Sequence, residues 1–330
     1  MGTASLADVA VILPAAGSGL RFSTSQQQQQ QQSTKLPNNS SSSSTAITTL
    51  NSPDNCSSFA CSPKQYIPVG EDHSPLLIHT VDSFSKIPWI SQILVLVQDS
   101  YLESTKSLIG HYGSRTSMLK TTVAVGAASR HITIRNGVRE LEKQLPAPVP
   151  APVPSLVIVH DAVRPFVDEA VCQAVVEEAR KHGACGVFAP LVSTILRIDA
   201  NGFMAEALPR HDLFASEMPQ AFSFENLKIA YNSASTDELN NGTECLALVH
   251  KYTGCQVKML PVDPNKYFKV TFEKDLLAVN AMMASERERK GLLHMGPISR
   301  NGSSEDFVRD ARQAPPSRST SSSSIPSDYP

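Results

Sequence analysis

Several features that would announce a function are missing from this 330-residue chain. No stretch approaches the roughly 18 consecutive apolar residues that a membrane-spanning helix needs. No basic region precedes the short apolar run at the start, so no secretory leader is expected. Myristoylation prefers Ser or Thr at position six, where Leu6 stands. The six cysteines (Cys56, Cys61, Cys172, Cys185, Cys245 and Cys255) make no CxxC pair and have no histidines at zinc-site spacing. Reduced, mostly buried thiols are the expectation. The formal net charge of -2 arises from scattered charges of both signs, leaving no basic stripe for a nucleic-acid backbone. These absences predict a globular cytosolic protein with no nucleic-acid or membrane partner, and 41% hydrophobic residues suffice for a core.

Two phosphate-binding signatures are missing as well. Residues 14–21, Pro14-Ala15-Ala16-Gly17-Ser18-Gly19-Leu20-Arg21, follow an apolar run as a turn follows a first parallel strand. A dinucleotide fingerprint would need a third small residue where Phe22 stands, and a P-loop would need a closing Gly-Lys-Ser/Thr. The first gap, together with the lack of an acidic residue at the expected distance after the turn, weakens the reading as an NAD-dependent dehydrogenase.

What is present sorts into core-forming and core-poor stretches. Residues 23–62 carry Gln26 to Gln32 unbroken and a serine run, 146–154 alternate Pro with Ala and Val, and a Ser-rich tail begins at 291. The first and last are expected to be disordered, the middle one an extended connection. Between them, β-rich runs at 9–13, 93–97, 119–123, 156–159 and 186–189 alternate with helical patterns at 76–85, 102–111, 130–143, 169–182, 224–234, 243–252 and 272–289. That alternation predicts an α/β fold with one doubly wound, mainly parallel sheet, in a single domain over 1–290. The segment 192–216 interrupts the rhythm: residues 194–198 are β-prone and Asn201-Gly202 is a strong hairpin signal. It predicts a protruding β-arm, docked either on a second subunit or on its own domain.

Three pieces carry candidate chemistry. In the turn, Gly17 and Gly19 allow the backbone to approach phosphate oxygens, and Arg21 adds a planar cation. Pro63-Lys64-Gln65-Tyr66 forms the second piece, although Lys64 alone reads as a surface lysine. The third, His160-Asp161-Ala162-Val163-Arg164-Pro165-Phe166, follows an apolar strand. A carboxylate at a strand end needs solvent, a partner or a cation, so Asp161 is either a Mg²⁺ ligand or a salt-bridge partner of Arg164. His160 is expected to pack rather than react.

With four further pieces these motifs resemble the cytidylyltransferases that make CDP-activated sugars and polyols, a group with methylerythritol-phosphate and ribitol-phosphate members. The further pieces are Gly126 with the 130–137 stretch, Ser-Glu-Met-Pro-Gln-Ala-Phe from 216, Gly-Thr-Glu-Cys-Leu from 242, and Lys-Val-Thr-Phe-Glu-Lys-Asp-Leu from 269. The resemblance implies a Rossmann-like nucleotidyltransferase fold and a homodimer. It also implies that Ala15, Ala16, Gly17, Gly19, Gly126, Arg130 and Thr133 hold CTP, and that Arg21, Lys64 and Lys269 neutralise its triphosphate. Asp161 would hold Mg²⁺, Thr194 and Arg210 would contact the acceptor's phosphate, and Arg164 would lie by its polyol. Val163 and Phe166 make the third motif more similar to the ribitol-phosphate members, so ribitol 5-phosphate is the implied acceptor and CDP-ribitol for protein O-mannosyl glycosylation of dystroglycan the implied product. Methylerythritol 4-phosphate as acceptor, and an inactive nucleotide-binding scaffold, are the competing readings. One departure stands out: the family joins its glycine-rich turn to its Pro-Lys-Gln motif within a few residues, whereas here Arg21 and Lys64 flank the Gln-rich insertion.

Overall fold

The computed structural model describes residues 8–17, 63–143 and 154–294, with side chains through 289. Gly19, Arg21, the insertion, most of the Pro-rich connection and the tail after 294 therefore lie outside the described residues; residues 291–294, expected to begin the disordered tail, are helical instead. In chain order the first half holds β1 (Val9–Pro14), β2 (Pro68–Val69), β3 (Ser74–Pro75), α1 (Leu76–Ser85), β4 (Ile90–Val97), α2 (Leu102–Tyr112), α3 (Arg115–Lys120), β5 (Thr121–Val125) and α4 (Arg130–Lys143). Then follow β6 (Leu156–Val159), α5 (Glu169–His182), β7 (Ala184–Pro190), β8 (Ile195–Ile198), β9 (Met204–Leu208) and β10 (Phe214–Ser223). The last described elements are α6 (Phe224–Ser233), α7 (Thr236–Asn241), α8 (Cys245–Thr253), β11 (Lys258–Pro261) and α9 (Glu273–His294).

Seven strands make one sheet in the order β11-β7-β10-β6-β1-β4-β5, and β10 is its antiparallel member. It lies within the compact unit that ends at Ala284. The strands are apolar on both faces because both faces are covered. Val9, Val11 and Leu13 of β1 pack with Leu77, Val81 and Phe84 of α1 and with Cys172, Val175 and Ala179 of α5. Ala10 and Ile12 face the other way, toward α4, α6 and α8. Helix ends follow local chemistry. Asp168 accepts hydrogen bonds from the N–H groups of Ala170 and Val171 to start α5, and Gly183 ends it at φ 89°, a left-handed conformation that glycine adopts without cost.

Strand β1 pairs with β4 on one side and β6 on the other, so the chain winds outward in opposite directions from this point. In open parallel sheets the crevice at the carboxyl ends of such a strand pair is where ligands bind. The turn after β1 and the Asp161 segment after β6 both open there.

Three expectations need correction. The apolar run at 119–123 straddles a boundary: α3 is capped by the Ser114 side chain, which accepts from Ser117 N–H, and Leu119 is 78% exposed at its end, so β5 begins only at Thr121. The helical pattern at 243–252 begins two residues later, because the Glu244 side chain caps α8 by accepting from Leu246 N–H. The third concerns the arm. Strands β8 and β9 form a separate two-stranded sheet with Gly202 at φ 87° near the turn, but from Phe214 the chain already belongs to the main sheet, pairing Phe214 with Pro190. The hairpin thus ends before the 216 boundary drawn from sequence.

Candidate active site

The segment after β6 turns on one buried carboxylate. His160 N–H donates to Ile12 O (3.1 Å) and Arg164 N–H to Asp161 O (3.1 Å), which fixes residues 160–164 as a tight turn against β1. Asp161 is 5% exposed and meets three cations. Arg130 Nε reaches Oδ1 at 3.2 Å, while Arg164 Nε (3.2 Å) and Lys269 Nζ (3.0 Å) reach Oδ2. Burial raises the carboxyl pKa, but Arg130, Lys269 and Arg164 outweigh it and hold the group well below the ordinary carboxylate range. Of the two sequence alternatives for Asp161, the geometry shows the salt bridge to Arg164, and it adds cations contributed from α4 and from the segment before α9.

Two of these cations are held from a second direction, and a fourth cation, Lys64, is tied in beside them. Arg164 pairs with Glu217 and donates to Tyr267 O at 2.8 Å. Arg130 donates to Cys245 Sγ at 3.0 Å, and Cys245 in turn accepts from Tyr231 Oη at 3.2 Å. Lys64 Nζ donates to Val270 O at 2.8 Å, next to Lys269, and Val270 N–H donates to Val163 O at 3.2 Å. Residues 64, 161–164 and 269–270 are so stitched into one patch. His160 packs, as expected: its ring is T-shaped against Phe84 at 5.0 Å, and burial pulls its pKa down to about 4.

The turn after β1 forms the other wall. A Cβ added at Gly126 would lie 2.7 Å from Ala16 Cβ and 3.0 Å from Thr133 Cγ2, so these three predicted residues meet at contact distance. Thr133 Oγ1 accepts from Ala127 N–H at 2.9 Å, which shapes the segment entering α4. Gln65, given no role in the sequence reading, is buried and donates to Ala15 O at 2.7 Å. No signal in the sequence could have found it, because its burial and the carbonyl it binds are set by the fold. Thr194 and Arg210 lie on the exposed hairpin, where Arg210 donates to Val192 O at 2.6 Å, two residues from Thr194.

For a divalent ion the donor set is narrow. Among the described residues no group of three or more His, Cys, Asp or Glu side chains comes together. An ion at Asp161 would share the carboxylate with Arg130, Arg164 and Lys269 and would complete its coordination with phosphate oxygens and water, the usual mode for Mg²⁺. The described cysteines are free, and Cys172, Cys185 and Cys245 are buried. No helix among the described residues is long and apolar enough to cross a membrane.

Known proteins resemble this chain in sequence and in fold. The chain is similar to the D-ribitol-5-phosphate cytidylyltransferase of Rattus norvegicus, 39% identical over 222 residues, which are 67% of this chain and 48% of that protein. To the Homo sapiens protein of the same name it is 38% identical over 67% of this chain and 48% of the other. It thus spans about half the length of these curated relatives. The 2-C-methyl-D-erythritol 4-phosphate cytidylyltransferase of Acidobacterium capsulatum is 30% identical, over 65% of this chain and 84% of the relative. Among solved structures, the 4-diphosphocytidyl-2C-methyl-D-erythritol synthase of Anaerococcus prevotii shares the fold at 19% identity and a TM-score of 0.58, covering 86% of this chain and all of the other. Residues 59–285 match the IspD family model, and the chain belongs to this 2-C-methyl-D-erythritol 4-phosphate cytidylyltransferase family.

Proposed function

We propose that the chain transfers CMP from CTP to D-ribitol 5-phosphate, giving CDP-ribitol and pyrophosphate. The observation that carries the reading is the convergence of Arg130, Arg164 and Lys269 on Asp161, with Lys64 beside them, at the switch point where the Ala15–Ala16 turn opens. In such a transfer an oxygen of the acceptor's phosphate attacks the α-phosphorus of CTP, and the bond to the bridging oxygen of the departing pyrophosphate breaks. No side chain has to act as nucleophile or base. The barrier is repulsion between anions and the charge growing on the leaving group, so cations fixed beforehand lower it. A Mg²⁺ held by Asp161 would supply further charge neutralisation when bound. Ribitol phosphate is favoured over methylerythritol phosphate by the higher identity of the relatives bearing the first name.

The same reading makes the protein a cytosolic homodimer that supplies CDP-ribitol for protein glycosylation. What supports dimerisation is the hairpin, where Phe203 is 71% and Met204 64% exposed, an apolar surface that a second subunit would cover. There Thr194 and Arg210 would meet the acceptor's phosphate. Pyrophosphate release from CTP, measured in parallel with ribitol 5-phosphate and methylerythritol 4-phosphate, tests the reading. Turnover preferring the first acceptor is expected; preference for the second changes the acceptor, and none with either leaves a scaffold.

A further inference from the structure

In the turn after β1, three successive backbone carbonyls are each taken by a side-chain amide. Gln65 Nε2 donates to Ala15 O at 2.7 Å and to Gly17 O at 3.3 Å, while Gln98 Nε2 donates to Ala16 O at 2.9 Å. The two glutamines arrive from different places: Gln65 is 4% exposed in the single 3-10 turn Lys64–Tyr66, and Gln98, half-buried, follows the last residue of β4. A trans peptide is planar, with the C=O of one residue and the N–H of the next pointing in opposite directions. Holding the Ala15 and Ala16 carbonyls toward the glutamines therefore aims the N–H groups of Ala16 and Gly17 away from them. The Ala15 N–H is already used on Leu96 O at 2.7 Å, which pins the start of the turn to β4.

We propose that Gln65 and Gln98 are positioning residues for the nucleotide, a neutral clamp that presets the Ala16 and Gly17 N–H groups as donors to CTP. This rests on the cytidylyltransferase reading. Backbone donors fixed before binding need no ordering when the ligand arrives, and so add affinity that a floppy glycine-rich turn would lose. The clamp holds the turn from residues that lie beyond the long connection between Gly17 and Pro63. Gln65 lies just past the insertion and grips the residues just before it. An amide suits this role because it donates to carbonyls without adding charge to a patch that already holds several cations.

The test uses the full chain with Gln65→Met, Gln65→Glu, Gln98→Met and Gln98→Glu, each close to isosteric and each lacking the amide donors. CTP affinity is measured by calorimetry, with the separate KM values for CTP and acceptor and the thermal midpoint alongside. The expectation is roughly tenfold weaker CTP binding in each single variant, the same factor in KM for CTP, an unchanged acceptor KM, and a double variant that loses less than the product of the two because both act on one turn. Gln98 is half-buried, so its variants keep the test alive where a Gln65 variant fails to fold. Unchanged CTP affinity in folded variants, or equal rises in both KM values that track the thermal midpoint, would overturn the clamp. If the unaltered protein binds CTP and the variants bind it equally, the clamp alone falls. If the unaltered protein does not bind CTP, the cytidylyltransferase reading falls and takes the clamp with it.

Discussion

The two walls of the candidate site are held by different forces. The Asp161 wall is built on the turn at 160–166 and is tied by charge: one buried carboxylate collects Arg164 from that turn, and Arg130 and Lys269 from elsewhere in the chain. The Ala15–Gly17 wall is tied by neutral amides, and its neighbours Gln65, Gln98, Gly126 and Thr133 come from three other parts of the chain. The difference teaches how each wall can fail. Charge pairs at the first are strong only while all partners are present, because a buried ion without its partner costs far more than the pair gains. Amide clamps at the second are individually weak, but losing one leaves no stranded charge.

The sharpest way to break the contrast is Asp161→Asn. Three cations would lose their shared counter-charge, so stability should fall by about 3–5 kcal/mol, as for other broken buried pairs. Turnover should fall by roughly 100-fold or more as the cations lose their alignment. Thermal unfolding and pyrophosphate release read the two effects. The pH dependence is fixed in sign: the folded-state pKa of Asp161 lies below the unfolded one, so its stabilisation is present above the ordinary carboxylate range and lost as pH falls toward the depressed value. The asparagine variant should lack that part of the acid-induced loss. An acid profile identical to that of the parent would show that Asp161 does not anchor this wall.

Next in size are single cations. Lys64→Ala or Lys269→Ala should each cost roughly 100-fold in turnover, by analogy with a lost preorganised donor. Lys64 is tied to a backbone carbonyl and Lys269 is the more exposed partner of Asp161, so both should lose less stability than Asp161→Asn. Unchanged turnover in either would remove it from the triphosphate role. The corresponding test of Arg21→Ala rests on sequence alone and carries the same expectation.

On the other wall, Gly126→Ala adds a methyl group where 2.7 Å separates it from Ala16 Cβ, and neither neighbour is a flexible side-chain end. The turn must shift. CTP affinity should fall by roughly tenfold, with a stability loss of about 1–3 kcal/mol typical of overpacking. Acceptor KM should stay as it was, because the hairpin residues Thr194 and Arg210 are untouched. A larger effect on the acceptor than on CTP would place Gly126 outside the nucleotide wall.

Legibility in the sequence follows the same division. The bounds of α1, α4 and α5 coincide with their apolar periodicity, and α5 carries both end signals, Asp168 and Gly183. The 160–166 part of the Asp161 wall was readable because its residues are contiguous and of unusual type for a strand end, whereas its pairing with Arg130 and Lys269 is set by the fold. Strand β10 was not, since Pro219 interrupts it and an interior proline argues against a strand; the register shift between Glu217 and Ala221 accommodates it. Helix α7 was overlooked despite a signal: Ser235 and Glu238 form a capping box. Gln65 and Gln98 left no mark, because their partners are backbone carbonyls brought near only by the sheet.

The smallest effect expected is also the one that separates the two walls most cleanly. Residues 18–62 lie between the turn and Pro63, and joining Ser23 directly to Ser58 would shorten that connection roughly fourfold. Loop-closure entropy changes by only about 0.6 kcal/mol per doubling, so stability should rise by about 1 kcal/mol and the thermal midpoint by a few degrees at most. With the turn gripped by Gln65 and Gln98, KM for CTP should not move. The Asp161 wall, whose described partners are Arg130, Arg164 and Lys269, should keep its turnover and its acid profile. A rise in KM for CTP with the acid profile intact would mean that the insertion helps to shape the amide-held wall; a loss of turnover with KM intact would mean that it reaches the charged one.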